Sequence, residues 1–244
     1  LSWLVQGRPR AITLVGLGGV GKTRLAAELA REASEHGLDT AWTALAPIDR
    51  DDDVETALAA AWGVDDPSER TLAGVASRIG SGRAVLVLDQ AEHVIDGARR
   101  ASTELLARCP NVVLLTTSRR ALRTPGEHRV SIEGLDTTVG PNGSDAARML
   151  HSHARAIDAS FGEGTEPAVV EEIARQVGGV PLALELVATW ADALRPNEML
   201  DALRDGLSLL RRAHEDGSGA ADLPRILDDT VGRLPDDARD AYLR

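Results

Sequence analysis

The sequence contains few of the residues that build disulfides, zinc sites or aromatic surfaces. Its 244 residues include one cysteine, Cys109, which excludes an internal disulfide framework and any zinc site built on several thiolates. Aromatic residues make up 2% of the chain, so the core must consist mainly of Ala, Leu and Val, and a stacking platform for single-stranded nucleic acid is not expected. No apolar run reaches the roughly 18 residues that a membrane-spanning helix needs. The beginning of the chain lacks the pattern of a signal peptide, and we expect an internal piece of a cytoplasmic protein.

Positive charge is also scarce. Acidic residues outnumber basic residues 38 to 27, and the formal net charge of -11 disfavours direct binding to nucleic acid or to an anionic membrane. Of the 27 basic residues 26 are arginine, and Lys22 is the one lysine. Because lysine is used only at this position, we expect a compact ammonium to have a role here that a planar guanidinium cannot take.

Short apolar runs alternate with helical patterns through the first half of the chain. Strands that are apolar on both faces and alternate with helices are typical of a parallel α/β sheet. Beyond residue 136 the patterns predict helices only. The predicted strands are 11–15, 40–44, 84–88, 112–115 and 128–132, and the predicted helices are 22–36, 52–62, 68–79, 92–108, 145–159, 167–177, 181–194 and 198–213.

The turn-rich stretches between these patterns predict the domain organisation. The predicted units are a tail of an upstream segment at 1–10, a sheet domain at 11–135, a linker at 136–144, a helical domain at 145–214, a second linker at 215–222 and the start of a third, truncated unit at 223–244.

A glycine-rich segment at 16–23, GLGGVGKT, fits the pattern G-x-x-x-x-G-K-[ST] between a predicted strand and a predicted helix. Its glycines allow successive backbone N–H groups to face one anion, and the helix N-terminus adds its dipole. We expect Lys22 to reach the β- and γ-phosphates of a nucleotide and Thr23 to bind Mg²⁺. The predicted nucleotide-binding residues of this segment are Gly16, Gly18, Gly19, Val20, Gly21, Lys22, Thr23 and Arg24.

The same glycines also fit the G-x-G-x-x-G pattern of dinucleotide-binding folds. Such a site needs an acid about 20 residues further on, at the end of the second strand. Asp49 is the nearest candidate and lies too far along the chain, and a dinucleotide site has no use for Lys22 and Thr23. We therefore interpret the segment as a phosphate-binding loop for a mononucleotide.

Polar residues follow the predicted strand 84–88. Asp89 is expected to hold Mg²⁺ or its water shell opposite Thr23, and the alternative is an acid that caps the next helix. Gln90 stands where an acid would polarise the attacking water; because an amide cannot take a proton, fast hydrolysis is not expected. Glu92 is either a substitute for that acid or an ordinary acid in the first turn of a helix.

Two further positions carry candidate functional residues. Arg119 follows the strand at 112–115, at the C-terminal edge of the sheet, where it could sense a γ-phosphate. The alternative is a solvated arginine in a run with Arg120 and Arg123. Pro181 follows a glycine pair at the first position of a predicted helix, a placement that structure alone explains.

Together these motifs resemble the NB-ARC class of STAND nucleotide-binding switches. Within that class they are most similar to SARP-type (antibiotic regulatory) and similar multidomain bacterial transcriptional activators. The resemblance implies a five-stranded parallel P-loop NTPase sheet of the ASCE/AAA-like type in the order 5-1-4-3-2, a small all-helical domain and a winged helix that begins near Leu223. The segments that carry it are GLGGVGKTRLA at 16–26, VLVLDQAEHV at 85–94, LLTTSRRAL at 114–122 and GGVPLALELVA at 178–188.

The resemblance also implies roles for single residues. Lys22 and Thr23 match the Walker A residues, Asp89 the Walker B acid and Arg119 the sensor arginine. Pro181 matches a proline that packs on the adenine from the helical domain.

The predicted function is an ATP/ADP-binding switch with Mg²⁺, in which Lys22, Asp89, Gln90 and Arg119 support slow hydrolysis. The resemblance implies an adjacent effector domain that binds DNA, a sensor domain of helical repeats and a homo-oligomer in the active state. The alternative is a conventional P-loop ATPase or small-molecule kinase that turns over several times per second, as enzymes of that kind do.

Overall fold

The computed structural model of the chain describes residues 8–215. Most of the predicted upstream tail, the second linker beyond residue 215 and the predicted winged helix lie outside the described residues. The chain divides into two compact units, the first ending at Ile132 and the second beginning at Glu133. Residues 133–135 fall in the second unit, so the predicted sheet domain is three residues longer than the compact unit.

The first unit alternates strands and helices along the chain. Its apolar runs form strands because they are long enough to cross the sheet and are covered by helices on both faces. The elements are β1 (Ala11–Val15), α1 (Lys22–Glu35), β2 (Asp39–Ala44), α2 (Asp53–Ala61), a 3₁₀ turn (Pro67–Glu69), α3 (Leu72–Ile79), β3 (Ala84–Asp89), α4 (Ile95–Arg108), β4 (Val112–Ser118) and β5 (Glu127–Ser131).

The five strands form one parallel sheet in the order β2-β3-β4-β1-β5. This is the predicted order 5-1-4-3-2, so the predicted fold class is confirmed. Every residue of β3 and β4 is buried. The buried hydrophobic side chains on both faces of the sheet are mainly aliphatic, such as Leu14, Leu58, Leu88 and Leu105, as the shortage of aromatic residues requires.

Three elements of the first unit differ from their predictions by more than one residue. The predicted helix 68–79 is divided into the 3₁₀ turn Pro67–Glu69 and α3, which begins at Leu72. β4 continues to Ser118 although residues 116–118 are polar, because they pair with Thr13–Val15 of β1. α4 begins at Ile95 and not at Glu92, because a turn over residues 90–94 follows β3 and opens with Gln90 at a φ of +62°. The interpretation of Glu92 as a first-turn helix acid is therefore wrong.

The loop between β4 and β5 is fixed by the carboxylate of Glu127. Its Oε1 accepts hydrogen bonds from the Thr13 hydroxyl at 2.7 Å and from the Leu122 N–H at 2.8 Å. Its Oε2 accepts one from the N–H of Arg123 at 3.1 Å. The segment that follows β4 is thereby anchored to β1.

In the described part of the second unit the regular secondary structure is helical, apart from one isolated bridge. Its elements are α5 (Asp145–Ile157), α6 (Pro167–Gln176), α7 (Pro181–Ala188), a 3₁₀ turn (Thr189–Asp192) and α8 (Pro196–Glu215). α7 is shorter than the predicted 181–194 because the chain tightens into the 3₁₀ turn after Ala188. The helices pack around a core that includes Leu150, Phe161, Leu184 and Trp190.

Candidate functional site

The segment between β1 and α1 has the backbone that a phosphate loop needs. Gly19 and Gly21 have φ values of +77° and +97°, in the left-handed region that favours glycine. Gly16 has no room for a side chain, since an added Cβ would lie 2.3 Å from the carbonyl oxygen of Ile132. Gly18 is exposed, whereas the Val20 side chain is buried, so Val20 offers a ligand its backbone N–H only.

Lys22 is the first residue of α1, and its side chain turns back over the loop. The ammonium donates hydrogen bonds to the carbonyl oxygens of Gly16 at 2.9 Å and Leu17 at 2.7 Å. The residue is only 9% exposed. The compact ammonium fits inside a loop whose carbonyls hold it, which agrees with the use of lysine here alone.

Thr23 and Asp89 meet at the C-terminal edge of the sheet. The Thr23 hydroxyl donates a hydrogen bond of 2.8 Å to Oδ1 of Asp89, which is buried at the end of β3. The same carboxylate oxygen accepts a 2.6 Å hydrogen bond from the hydroxyl of Thr117. The structure therefore brings together the two residues predicted to hold Mg²⁺, a hard cation that takes oxygen ligands.

Thr117 is the residue that the sequence predictions missed. It is fully buried on β4, which lies between the strands that bear the two Walker motifs. Its hydroxyl accepts a 2.9 Å hydrogen bond from the N–H of Gln90 while donating to Asp89, and its carbonyl accepts one from the N–H of Ala91. The signal in the sequence was a run of polar residues at the end of an apolar strand.

Gln90 and Arg24 are exposed at the edges of this cluster. Gln90 is fixed by its backbone N–H, and its left-handed φ turns the chain out of β3. Arg24 lies in the first turn of α1. Their predicted contacts with nucleotide stay predictions.

Arg119 immediately follows β4, and its side chain reaches the phosphate loop. An ideal Cβ on Gly18 would lie 3.6 Å from Nη2 of Arg119. The Nε of Arg119 lies 3.3 Å from Oε1 of Glu92. The predicted sensor arginine therefore lies beside the exposed middle of the loop.

Pro181 belongs to the second unit, where it is the first residue of α7. The preceding Gly178 and Gly179 both have a φ of +64°, and an added Cβ on Gly179 would lie 2.2 Å from the carbonyl oxygen of Leu135. These glycines end α6 and admit a close approach of the chain, so local structure explains them. The adenine contact of Pro181 stays a prediction.

The pH dependence of nucleotide binding follows from the environment of Lys22. Burial lowers the pKa of Lys22 below its ordinary value; the nearby Glu92 carboxylate opposes this shift, the Arg119 guanidinium adds to it and Asp89 opposes it. Bound phosphate favours the charged ammonium, so we expect the affinity for ADP to fall with rising pH before an ordinary lysine would lose its proton.

Calorimetric titration of ADP across the alkaline range measures this fall, and Lys22→Ala is the control that should lack it. Without nucleotide, the contribution of Lys22 to the free energy of unfolding changes with pH in the opposite direction to the ADP affinity. It rises with pH between the lowered pKa and the ordinary one, because the unfolded chain holds the proton more tightly. An ADP affinity in the parent chain with the same pH profile as in Lys22→Ala would contradict the expectation.

Thr117→Val tests the hydrogen bonds that fix Asp89. Valine fills nearly the same space but removes the donor to Asp89 and leaves the N–H of Gln90 without its acceptor. We expect the free energy of unfolding in urea to fall by about 2 kcal/mol. Thr43→Val is the matched control, since Thr43 is also buried but lies on β2, and it should change stability less. Equal losses in the two variants would show that Thr117 has no special role.

The chain is similar to known proteins both in sequence and in fold. No protein-family model matches the chain. A proposed HTH-type transcriptional regulator of Mycobacterium tuberculosis is 34% identical over 203 residues, which are 82% of this chain and 22% of the regulator. An uncharacterized protein of the same species is 33% identical over 209 residues, 84% of this chain and 51% of that protein. The chain spans about a fifth of the length of the first relative and about half of the second.

Among solved structures, Cdc6p from Pyrobaculum aerophilum is similar with a TM-score of 0.51 and 16% identity, over 88% of this chain and 59% of that one. Within residues 8–215 every helix is too short or too polar to cross a bilayer. The sheet order, the loop between β1 and α1 and this likeness agree: the chain has the fold of a P-loop ATPase, with a helical unit after the sheet.

Proposed function

We propose that the chain is the ATP- and ADP-binding switch module of a signal-transducing transcriptional regulator. The observation that carries the proposal is the convergence of Lys22, Thr23 and Asp89 at one edge of the sheet. The similarity to a proposed HTH-type regulator supports the regulatory setting. The motifs shared with NB-ARC and SARP-type proteins support the switch.

The residues at this edge fit a nucleoside phosphate with Mg²⁺. The loop glycines, of which Gly18 is exposed and the others are half-buried, offer backbone N–H groups at the beginning of α1, where the helix dipole favours an anion. Lys22 supplies a cation, and Thr23 with Asp89 supplies oxygen ligands of the kind that Mg²⁺ prefers. When bound, Mg²⁺ would neutralise phosphate charge.

Slow hydrolysis is the catalytic part of the proposal. Gln90 follows Asp89, and its amide can orient a water molecule but cannot accept the proton from it. Steady-state phosphate release slower than about one per second is therefore expected, which is below the usual range of metabolic enzymes. Faster release would favour the alternative of a turnover ATPase or kinase.

The switch itself requires different affinities for nucleotide in two conformations. In our proposal ADP contacts both the phosphate loop and Pro181, whereas ATP engages Arg119 and favours an oligomer. The effector domain that binds DNA, the sensor domain and a cytoplasmic setting are proposals for the longer protein.

Pro181→Ala tests the ADP contact from the helical unit. We expect the dissociation constant for ADP to rise about tenfold, because an apolar contact on the base is lost. Pro167→Ala is the matched control, since Pro167 is also the first residue of a helix and is exposed. ADP binding as tight in Pro181→Ala as in the control would contradict the contact.

The nucleotide-dependent change of state has its own experiment. The 244-residue chain is loaded with ADP or with a non-hydrolysable ATP analogue and examined by light scattering after gel filtration. A larger mass with the analogue alone is expected. The same mass with both nucleotides would contradict the oligomerising switch.

A further inference from the structure

Glu92 lies in the turn between β3 and α4, beside the end of β4. Its Oε1 is 3.3 Å from Nε of Arg119, and its side chain is 25% exposed. The Arg119 side chain is 68% exposed. A long, exposed arginine has many rotamers, so the carboxylate restricts where its guanidinium can lie.

The turn that carries Glu92 is itself fixed against the end of β4. The N–H groups of Gln90 and Ala91 donate to the hydroxyl and carbonyl oxygens of Thr117. The Arg120 side chain donates a 3.1 Å hydrogen bond to the backbone carbonyl of Glu92. Contacts with Thr117 at the end of β4 and with Arg120 just after it thus fix the backbone of the turn that carries Glu92. A residue that positions Arg119 needs such a fixed backbone.

The ion pair leaves the terminal nitrogens of Arg119 available. A guanidinium presents five N–H donors on a planar fork, and Glu92 lies next to Nε on one edge. Nη2 lies on the side of Gly18 in the phosphate loop. The guanidinium can therefore keep its partner at Nε and still donate to a phosphate oxygen from its Nη groups.

The second oxygen of Glu92 argues against a purely stabilising pair. Oε2 is buried and has no hydrogen-bond partner among the described residues. A bare buried acceptor costs free energy, and a partly exposed ion pair returns little.

We propose that Glu92 is a positioning residue that holds Arg119 beside Gly18 and thereby sets the preference of the site for a nucleoside triphosphate over a diphosphate. The inference rests on the proposed function, because it requires a nucleotide in the phosphate loop. It assigns Glu92 an action through Arg119, with no proton transfer.

The test is the ratio of the dissociation constants for ADP and for a non-hydrolysable ATP analogue, measured by calorimetry on the 244-residue chain. We expect Arg119→Ala and Glu92→Ala each to lower the preference for the analogue about tenfold, the effect of one lost charge-assisted hydrogen bond. Glu92→Gln keeps the size of the side chain but removes the charge that attracts Arg119, so it should lose part of the preference. In an Arg119→Ala background, Glu92→Ala should change the ratio no further.

Glu104→Ala is the matched control, because Glu104 pairs with Arg108 on the surface of α4 away from the loop. It should leave the ratio unchanged. Thermal unfolding without nucleotide should give the same midpoint for Glu92→Ala and for Glu104→Ala. If the ion pair of Glu92 only stabilised the fold, Glu92→Ala would have the lower midpoint. Removal of the Glu92 charge can alter both affinities together, so the ratio decides.

The outcomes separate the two proposals. An unchanged ratio in Glu92→Ala, with a lowered ratio in Arg119→Ala, overturns the role of Glu92 and leaves the proposed function intact. An unchanged ratio in Arg119→Ala with tight ADP binding overturns both the sensor role and this inference. A parent chain that binds neither nucleotide overturns the proposed function and this inference with it.

Discussion

Replacement of Lys22 by alanine is expected to lower the affinity of the chain for both ADP and ATP by about a hundredfold or more. The change removes the one cation that is buried within the phosphate loop, where charge-assisted hydrogen bonds to phosphate are strong. The carbonyl oxygens of Gly16 and Leu17 lose their donor, but they belong to a loop open to water, which can replace it. The fold should therefore persist, and calorimetric titration of ADP measures the loss.

Lys22→Arg is the informative companion to this variant. It keeps the positive charge but replaces a compact ammonium with a planar fork that cannot lie inside the same loop. We expect a loss of ADP affinity close to that of Lys22→Ala, while the far-ultraviolet circular dichroism of both variants matches the parent. ADP binding by Lys22→Ala with the affinity of the parent would contradict the assignment of this loop.

Gly97→Ala is expected to destabilise the first unit by about 3 kcal/mol, although alanine is the better helix former. Gly97 lies in the first turn of α4, and its N–H donates a 2.6 Å hydrogen bond to Oδ1 of Asp51. An added Cβ would lie 2.2 Å from the carbonyl oxygen of Asp51 and 2.8 Å from its Cα. The backbone at Asp51 would have to move away, and α4 would lose this cap.

Urea unfolding of the 244-residue chain measures the change. Thr103→Ala is the control on the same helix, since Thr103 is exposed and should gain slightly from the better helix propensity of alanine. A Gly97→Ala chain that is as stable as the Thr103→Ala chain would show that the backbone at Asp51 moves away from the added Cβ without loss of stability.

Much of the fold was predictable because its signals are local. Apolar runs such as 84–88 end at a polar residue, and helical spacing fills the intervals between them. The strand order came from the resemblance, since periodicity alone does not say which strands are neighbours. The beginning of α4 was not predictable, because it depends on the hydrogen bond from Gln90, just after β3, to Thr117 on the neighbouring strand β4.

The candidate site divides in the same way. The positions of Lys22 and Thr23 were predictable because the two residues belong to a contiguous motif, and that of Asp89 because it ends a buried strand. Thr117 and the pairing of Glu92 with Arg119 depend on the register of β3 with β4 and on the turn after β3. The contact of Gly97 with Asp51 joins residues 46 positions apart and has no signal in the sequence near either one.

We propose that this chain binds ATP and ADP at Lys22, and the nucleotide content of the purified protein is the decisive measurement. The 244-residue chain is denatured, and any released nucleotide is identified by chromatography beside a Lys22→Ala preparation. We predict adenine nucleotide, mainly ADP, near one per chain in the parent and almost none in the variant. A parent that releases no nucleotide and takes up no added ADP would show that this chain is not a nucleotide-binding module.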